Sequence, residues 1–597
     1  MPTKPIEHVV EVAPDDNVLR ALSTRPVDAP SAPALLVCRG SEVDEISAAE
    51  MVGRVRAIAA GIARAGIEPG DRVVLCAHAC VEWALVDYAI WQAGAIGVTI
   101  YETSSADQVA WILHDSGAKL AFVEDDSLAA VVESVRSEAP SLGAVVPISD
   151  GRLDDFAEAD VDDAELDRRA STLRLDQPAT IVYTSGTTGR PKGCAVSHLN
   201  LIWTIRQVMV TEPELVGAGN RTLTFLPLAH ILARVVQLTA ITAGVPVAFG
   251  GGIRTLLDDL ATVKPTWLTV VPRVLEKVHD GTAQKAGTGI KRTIFDRAAH
   301  LARTVGDLRM ARRPVPLPLR IAHRAADVAV FRQLRAAMGG ELRWVISGGA
   351  PLHPDLARFF SGVGIEVLEG YGLTETTGPA TVHRVGASKP GTVGPPLAGV
   401  DVRISDEGEI QLAGNCVFTG YWNNDEATTE AFVDGFFRTG DYGVVDADGH
   451  VVITGRMKDL IVTAGGKNIA PVPLETAIAA HPLVSHAVVV GDNRPFVAAL
   501  LTLDVQALGA WAVQHDRQVS APGRLVEELA SDPDLLAELQ TAVDAADAMV
   551  SRAEGVRAFR VLPTDLSVEG GDLTPTMKVR RATVIEKYAT IVSDIYA

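Results

Sequence analysis

Apolar residues recur every three to four positions over residues 47–65, which predicts a helix with one buried face. The turn Gly66-Ile67-Glu68-Pro69-Gly70 follows, and a short apolar run at 72–77 predicts a strand. Residues 80–94 read as helix, 96–101 as strand, 105–116 as helix and 119–123 as strand. Strand and helix alternating at this spacing predict a parallel sheet covered on both faces. Residues 157–176 are acidic and polar, a linker or an exposed helix.

Further along, Ile181, Val182 and Tyr183 end a strand, and residues 198–210 read as the helix after it. Strands are predicted at 222–228, 265–271, 342–347 and 365–369, and the alternation over 400–412 is β-rich. Pro272 sits early in a helix. Beyond it the pattern gives a helix at 471–480, strands at 487–490 and 496–502, and mostly helix over 520–554. The expected fold is α/β. A large N-terminal domain, residues 1–456, holds parallel-rich sheets covered by helices plus a β-rich subdomain. A small α+β domain, residues 457–597, follows.

The 597 residues exceed one core, in keeping with a large domain and a smaller one. A net charge of −20 argues against a nucleic-acid binder. Cys38, Cys76, Cys80, Cys194 and Cys416 show no metal or disulfide spacing, and the first residues have no apolar leader, so a cytoplasmic protein is expected. The longest weakly apolar run, 235–252, carries Gln237 and Pro246 and reads as buried helix and strand rather than a membrane span. Residues 277–335 hold thirteen Lys/Arg against four Asp/Glu in this acidic chain. Two readings stay open there: a solvated helical insertion, or a patch that meets an anionic membrane surface.

Candidate chemistry begins after Tyr183. Thr184, Ser185, Thr187 and Thr188 supply hydroxyl donors, Gly186, Gly189 and Gly193 free the backbone to aim amides at an anion, and Arg190 and Lys192 close the loop with positive charge. This is a polyphosphate cradle without the Walker spacing. The Gly348-Gly349-Ala350-Pro351 turn permits close approach of backbone to a ligand. In Gly370-Tyr371-Gly372-Leu373-Thr374-Glu375, Tyr371 suits an aromatic plate for a base, Thr374 a phosphate donor and Glu375 a hard oxygen ligand for Mg²⁺. Asp441 can accept from two ribose hydroxyls, and Arg456 can pair with ribose or phosphate. His230, after Pro227-Leu228-Ala229, is either a capping or core histidine or a site residue.

These segments resemble the signatures of the adenylate-forming superfamily, which includes acyl-CoA synthetases, firefly luciferase and peptide-synthetase adenylation domains. The whole chain looks most like a long-chain fatty acyl-CoA synthetase. The resemblance implies that His230 lies beside the substrate carboxylate and that Gly348 to Pro351 line the adenine and acyl pockets. It adds Glu369, Gly370, Gly372 and Ile453 to the nucleotide set, gives Asp441 the ribose, and makes Lys458 the pivot of a mobile C-terminal domain. Gly465 and Gly466 would line the pantetheine tunnel. Lys578 matches the adenylation lysine, preceded by Met577 where many relatives carry Gly. Arg234 stands where some bacterial relatives place a tunnel-gating Trp, so a gate here would be built differently. Tyr101 to Ser105 resembles a structural turn of the family.

The function so implied is ligation of a long-chain fatty acid to CoA, using ATP and Mg²⁺, through an acyl-AMP intermediate. Lys192, Lys578, Thr184, His230 and Glu375 would carry the chemistry. The alternatives are a fatty acyl-AMP ligase that loads a carrier protein, a synthetase for medium-chain or aromatic acids, and a non-catalytic ATP- or acyl-binding regulator. Intact Lys192, Glu375, Asp441 and Lys578 argue against the last.

Overall fold

Two strands that the hydrophobic pattern did not announce, β1 (Pro33–Arg39) and β2 (Glu42–Ser47), precede the first helix. Ser47 then caps α1 (Ala48–Arg64) by accepting the Glu50 amide, and Met51, Val55, Ile58 and Ile62 repeat along its buried face. The computed structural model describes residues 8–20, 22, 27–40, 42–157, 162–184, 190–252, 255–287, 289–464, 467–552, 554–574 and 577–597.

The expected alternation follows: β3 (Arg72–Cys76), α2 (Val81–Gln92), β4 (Ile96–Thr99), β5 (Leu120–Val123), β6 (Ala144–Pro147) and β7 (Pro178–Thr184). These strands are parallel in the order β7-β4-β3-β5-β6. One expectation needs correction. The phosphate-loop candidate does not join strand to helix. It turns a hairpin, because β8 (Lys192–Ser197) folds back antiparallel on β7 before α3 (His198–Thr211) begins. Its Gly193 to Ser197 stretch is buried against the sheet, which extended backbone satisfies and a solvated loop would not.

The second sheet takes β9 (Thr222–Thr224), then α4 (Ile231–Ala243), β10 (Val247–Phe249) and β11 (Trp267–Val270). The basic stretch is helical, as α5 (Pro272–Lys285), α6 (Ile290–Met310) and α7 (Leu317–Ala326). After them come β12 (Trp344–Ser347), α8 (Pro354–Val363), β13 (Glu366–Leu373) and β14 (Gly378–Val382). The order is β14-β13-β12-β11-β9-β10-β1-β2, parallel except at its two ends. β13 runs through Leu373 rather than stopping at Glu369, so Tyr371 stands in a ladder with β14. α2, α3 and α4 share one core, in which Trp83 and Trp91 pack with Ile202, Ile205, Val235 and Leu238.

A third, antiparallel sheet holds β15 (Asp401–Ile404) and β16 (Glu409–Ala413). β17 (Gly420–Tyr421) leaves it to pair with β8, while β18 (Phe432–Val433), β19 (Phe436–Val445) and β20 (Val451–Arg456) complete it. The chain from Ile461 on builds cores of its own. The β21 (Ile461–Val462) and β22 (Asn468–Ile469) hairpin leads into α9 (Pro471–Ala479). β23 (Val484–Val490), β24 (Val497–Leu503) and β25 (Val556–Val561) follow, the first two antiparallel and the last pair parallel. A mixed sheet with helices fits the α+β expectation. Among the described residues no helix is long and apolar enough to cross a membrane.

Candidate active site

The β7–β8 hairpin sets Thr184 opposite Lys192. Ser185, Gly186, Thr187, Thr188 and Gly189 lie outside the described residues. Beyond them the hairpin is anchored: the Trp111 indole donates to the Pro191 carbonyl at 2.8 Å, and the Arg190 guanidinium lies 4.6 Å from the Trp111 ring centre. The Lys192 ammonium sits 5.0 Å from the centre of the Tyr421 ring. β17 brings Tyr421 there, and its hydroxyl donates to Glu375 Oε1 at 2.9 Å. Sequence reasoning missed Tyr421, because its place depends on strand pairing with a distant part of the chain.

Next to this cluster, β13 passes close to β14. A Cβ on Gly372 would fall 1.7 Å from the Gly378 carbonyl oxygen, so only glycine fits. Tyr371 is buried, and its hydroxyl donates to Asp441 Oδ2 at 2.6 Å, while Arg456 Nε donates to Asp441 Oδ1 at 2.8 Å. Burial and the Asp441 carboxylate together push the Tyr371 phenol well above its usual range. Each carboxylate oxygen keeps a lone pair for another donor. Gly370, Gly372, Thr374 and the Gly348 to Pro351 turn line the same cavity, and Gly349 takes φ +82°, open to glycine at little cost.

Lys578 arrives from the C-terminal part of the chain. Its Cε lies 3.8 Å from where a Cβ on Gly349 would stand, and its side chain opens onto the cavity. Enclosure by protein and then the Arg456 cation lower its pKa, with Asp441 and Glu375 pulling the other way. Met577 holds φ +62°, a left-handed backbone that favours glycine. The departure from Gly at this position therefore stores strain beside Lys578.

His230 carries both readings left open by the sequence. It caps α4, its Nδ1 accepting the Leu232 amide at 3.2 Å, and it lines the cavity. Burial, then Lys578, lower its pKa to about 3, so the imidazole is neutral near pH 7. With Nδ1 accepting, the proton sits on Nε2, which is left as a donor.

The cavity is continuous, about 1600 Å³, and changes character along α4. Lys578 lies near His230, whereas Val235, Val236 and Thr239 line the cavity further along the helix. At 1.5 Å rise per residue, Thr239 lies about 13 Å along the helix from His230. Leu215, Trp267, Ile346 and Leu368 add apolar wall.

Not every expected residue reaches the cavity. Ile453 is exposed on β20 apart from the lining, and Glu369 is buried behind it, its carboxyl pushed up to about 8 by burial. Gly465 and Gly466 lie outside the described residues. Arg234 points away from the tunnel into the core. It makes a bidentate pair with Asp87 and donates to Thr180 Oγ1 at 2.6 Å, between the rings of Trp83 and Trp91. Lys458 stands in the short turn Met457–Asp459 directly after β20, exposed and on the cavity rim.

Among the described residues no group of three or more His, Cys, Asp or Glu gathers as a metal cage. Glu375 alone, with one oxygen steadied by Tyr421, fits Mg²⁺ held chiefly by substrate phosphates and water.

Comparison with known proteins bears on the family and the fold. The profile described as AMP-binding enzyme matches residues 22–422, and that of the AMP-binding enzyme C-terminal domain matches 458–597. The chain is 47% identical over 558 residues to the long-chain-fatty-acid–CoA ligase FadD15 of Mycobacterium tuberculosis, covering 92% of each chain. Among solved structures, O-succinylbenzoate coenzyme A synthetase from Bacillus subtilis in complex with AMP superposes with a TM-score of 0.68 at 20% identity, over 96% of this chain and 98% of that one. A Mycobacterium tuberculosis fatty acyl CoA synthetase gives 0.63 at 24% identity, over 96% and 99%. Two profile matches that together span most of the chain, and a relative 47% identical over 92% of it, leave one assignment: the chain belongs to the AMP-binding enzyme family.

Proposed function

We propose that this protein is an ATP-dependent long-chain fatty acid–CoA ligase. One observation carries the reading. A single cavity joins a cluster of Lys192, Glu375, Lys578 and neutral His230 to an apolar wall running along α4. That is what a chain with an anionic head and a hydrocarbon tail requires.

The chemistry is a matter of charge and position. A carboxylate is a poor electrophile. Its oxygen attacks the α-phosphorus of ATP, a P–O bond to pyrophosphate breaks, and acyl-AMP forms. Both reactants are anions, so cations must stand between them. Lys578 fits between carboxylate and α-phosphate, and Lys192 with Thr184 fits the outer phosphates. Glu375 would hold Mg²⁺, which neutralises phosphate charge when bound. His230 Nε2–H donates to the carboxylate without adding charge. Tyr371 offers its face to adenine, and Asp441 accepts from the ribose. The CoA thiol then attacks the acyl carbonyl, loses its proton to solvent, and AMP leaves with the C–O bond electrons.

We assign residues 1–456 and 457–597 as two domains with Lys458 as pivot. Support comes from the cores that close within the segment after Ile461. In this pose Lys578 would block the thiol's approach to the head group, so the thiol step would need a rotation. Lys458→Pro should block it, and thioester formation from preformed acyl-AMP at the wild-type rate would refute the pivot.

Turnover with palmitate, octanoate and benzoate, assayed for both acyl-AMP and CoA thioester, tests the function. The reading requires thioester from palmitate foremost. Adenylate that is not passed to CoA favours the carrier-protein ligase, and preference for octanoate or benzoate favours the shorter-acid synthetases.

A second reading concerns the basic helices. Leu317, Ile321 and Val328 are each 63% exposed and sit beside exposed Arg320 and Arg324. This apolar stripe with flanking cations suits the surface of an anionic bilayer. Co-sedimentation with phosphatidylglycerol vesicles, lost in Leu317→Ser/Ile321→Ser, is expected; equal recovery with or without vesicles contradicts it. The five cysteines are all unpaired and support a reducing, cytoplasmic setting.

A further inference from the structure

We infer that Arg581 is a positioning residue for Lys578: its grip on Glu475 holds the strained hairpin that aims the lysine into the cavity. The inference rests on the ligase reading above and deepens it.

The hairpin is short. Leu573 pairs antiparallel with Val579, and inside that pair the Thr574 amide donates to the Lys578 carbonyl at 2.8 Å. The Lys578 amide donates back to Thr574 Oγ1 at 3.0 Å, and the Met577 amide to the Thr574 carbonyl at 2.8 Å. Met577, next to Lys578, holds φ +62°. A left-handed residue that carries a Cβ persists only where its surroundings outweigh the strain. The turn therefore calls for anchors on either side of it.

Two ion pairs supply them. Before the turn, buried Asp572 accepts Lys587 Nζ at 2.8 Å, which ties the hairpin to the helix that follows it, Arg581–Lys587. After the turn, Arg581 stands three residues beyond Lys578 and takes Glu475 in a two-point grip, Nη1 to Oε1 at 2.6 Å and Nη2 to Oε2 at 2.7 Å. This second pair reaches the body of the C-terminal segment. Glu475 lies on α9 and its Oε1 also accepts the Val489 amide at 2.6 Å, while Arg581 Nη1 donates to the Val489 carbonyl on β23 at 2.8 Å. On its remaining side Arg581 Nε faces Asp459, 4.0 Å away, in the turn that holds Lys458.

A bidentate guanidinium–carboxylate pair fixes direction as well as distance. A lysine offers one point of charge and cannot reproduce it. Both terminal nitrogens of Arg581 are engaged within the protein, so its effect on the reaction passes through Lys578. That effect belongs to one half-reaction. Adenylate formation needs the Lys578 ammonium between carboxylate and α-phosphate, and a misplacement of about 1 Å costs on the order of 100-fold. The thiol step does not use Lys578 there.

The test follows Arg581→Lys through both half-reactions. The kcat for ATP–pyrophosphate exchange with palmitate should fall about 10- to 100-fold, with KM for ATP and palmitate within a few-fold of wild type. Conversion of preformed palmitoyl-AMP to the CoA thioester should stay near the wild-type rate. Met577→Gly relieves the strain, so in that background the same substitution should cost several-fold less. Wild-type exchange in Arg581→Lys overturns the inference. So does equal loss of both half-reactions, which would mark the pair as structural only, and so does a change confined to KM for ATP, which would place Arg581 on the nucleotide. An undiminished loss in the Met577→Gly background overturns it as well, since the grip would then not be what holds the strained turn. If Arg581→Lys does not fold, Glu475→Gln takes the same comparisons. Absence of palmitate-dependent exchange in the wild type would instead overturn the ligase reading itself.

Discussion

Tyr421 donates its hydroxyl proton to Glu375 at 2.9 Å across 46 residues of sequence, and the Lys192 ammonium lies 5.0 Å from the centre of the same ring. One side chain thus steadies the proposed metal carboxylate and the proposed phosphate lysine together. A hydrogen bond to a charged group is worth about 1.5–3 kcal/mol. Tyr421→Phe keeps the ring and removes the donor. Adenylate formation should fall about 10- to 100-fold in kcat/KM, with a higher Mg²⁺ requirement. Wild-type rates at wild-type Mg²⁺ would show that Tyr421 positions nothing.

The Arg234–Asp87 pair makes a different prediction, because it joins α4 to α2 inside the core and does not line the active-site cavity. Arg234→Met leaves a buried carboxylate unpaired and should cost about 3–5 kcal/mol of stability. Replacing both partners, as Arg234→Met/Asp87→Leu, should recover most of the loss. Acyl-chain preference should not move in either variant that folds. A shift in chain-length preference at unchanged stability would return Arg234 to the tunnel wall.

Stability should also depend on pH through Glu369. Its folded pKa is raised to about 8 from 4.5 by burial, so between those values the folded protein holds a proton that the unfolded chain has released. Stability from this group is full below the unfolded value and is lost as pH rises through the folded one. The wild-type Tm should therefore fall between about pH 5 and about pH 8 by more than that of Glu369→Gln. Parallel Tm curves for the two proteins would contradict the burial argument.

How much of this was legible in the sequence differs from element to element. α1 was readable because Met51, Val55, Ile58 and Ile62 repeat locally, and the Tyr371 to Glu375 and Lys578 segments because their residue types carry their chemistry. The hairpin nature of the phosphate loop was not, since Gly193, Cys194 and Ala195 are small residues whose extended form is decided by β7 and β17 on either side. The offset of Arg234 from His230 matches a gate position only by resemblance and says nothing of where Arg234 points, which the packing of α4 against Trp83 and Trp91 decides.

The most direct test of the two-step account separates the half-reactions in Lys578→Ala. Lys578 stands by Gly349 and His230, where carboxylate and α-phosphate would meet, and no part of the thiol step needs it there. ATP–pyrophosphate exchange with palmitate should fall at least about 100-fold, the scale of losing a charge placed on the transition state. Conversion of preformed palmitoyl-AMP to the CoA thioester should stay within a few-fold of wild type. Equal loss of both half-reactions in a folded variant, or loss of neither, would contradict the account.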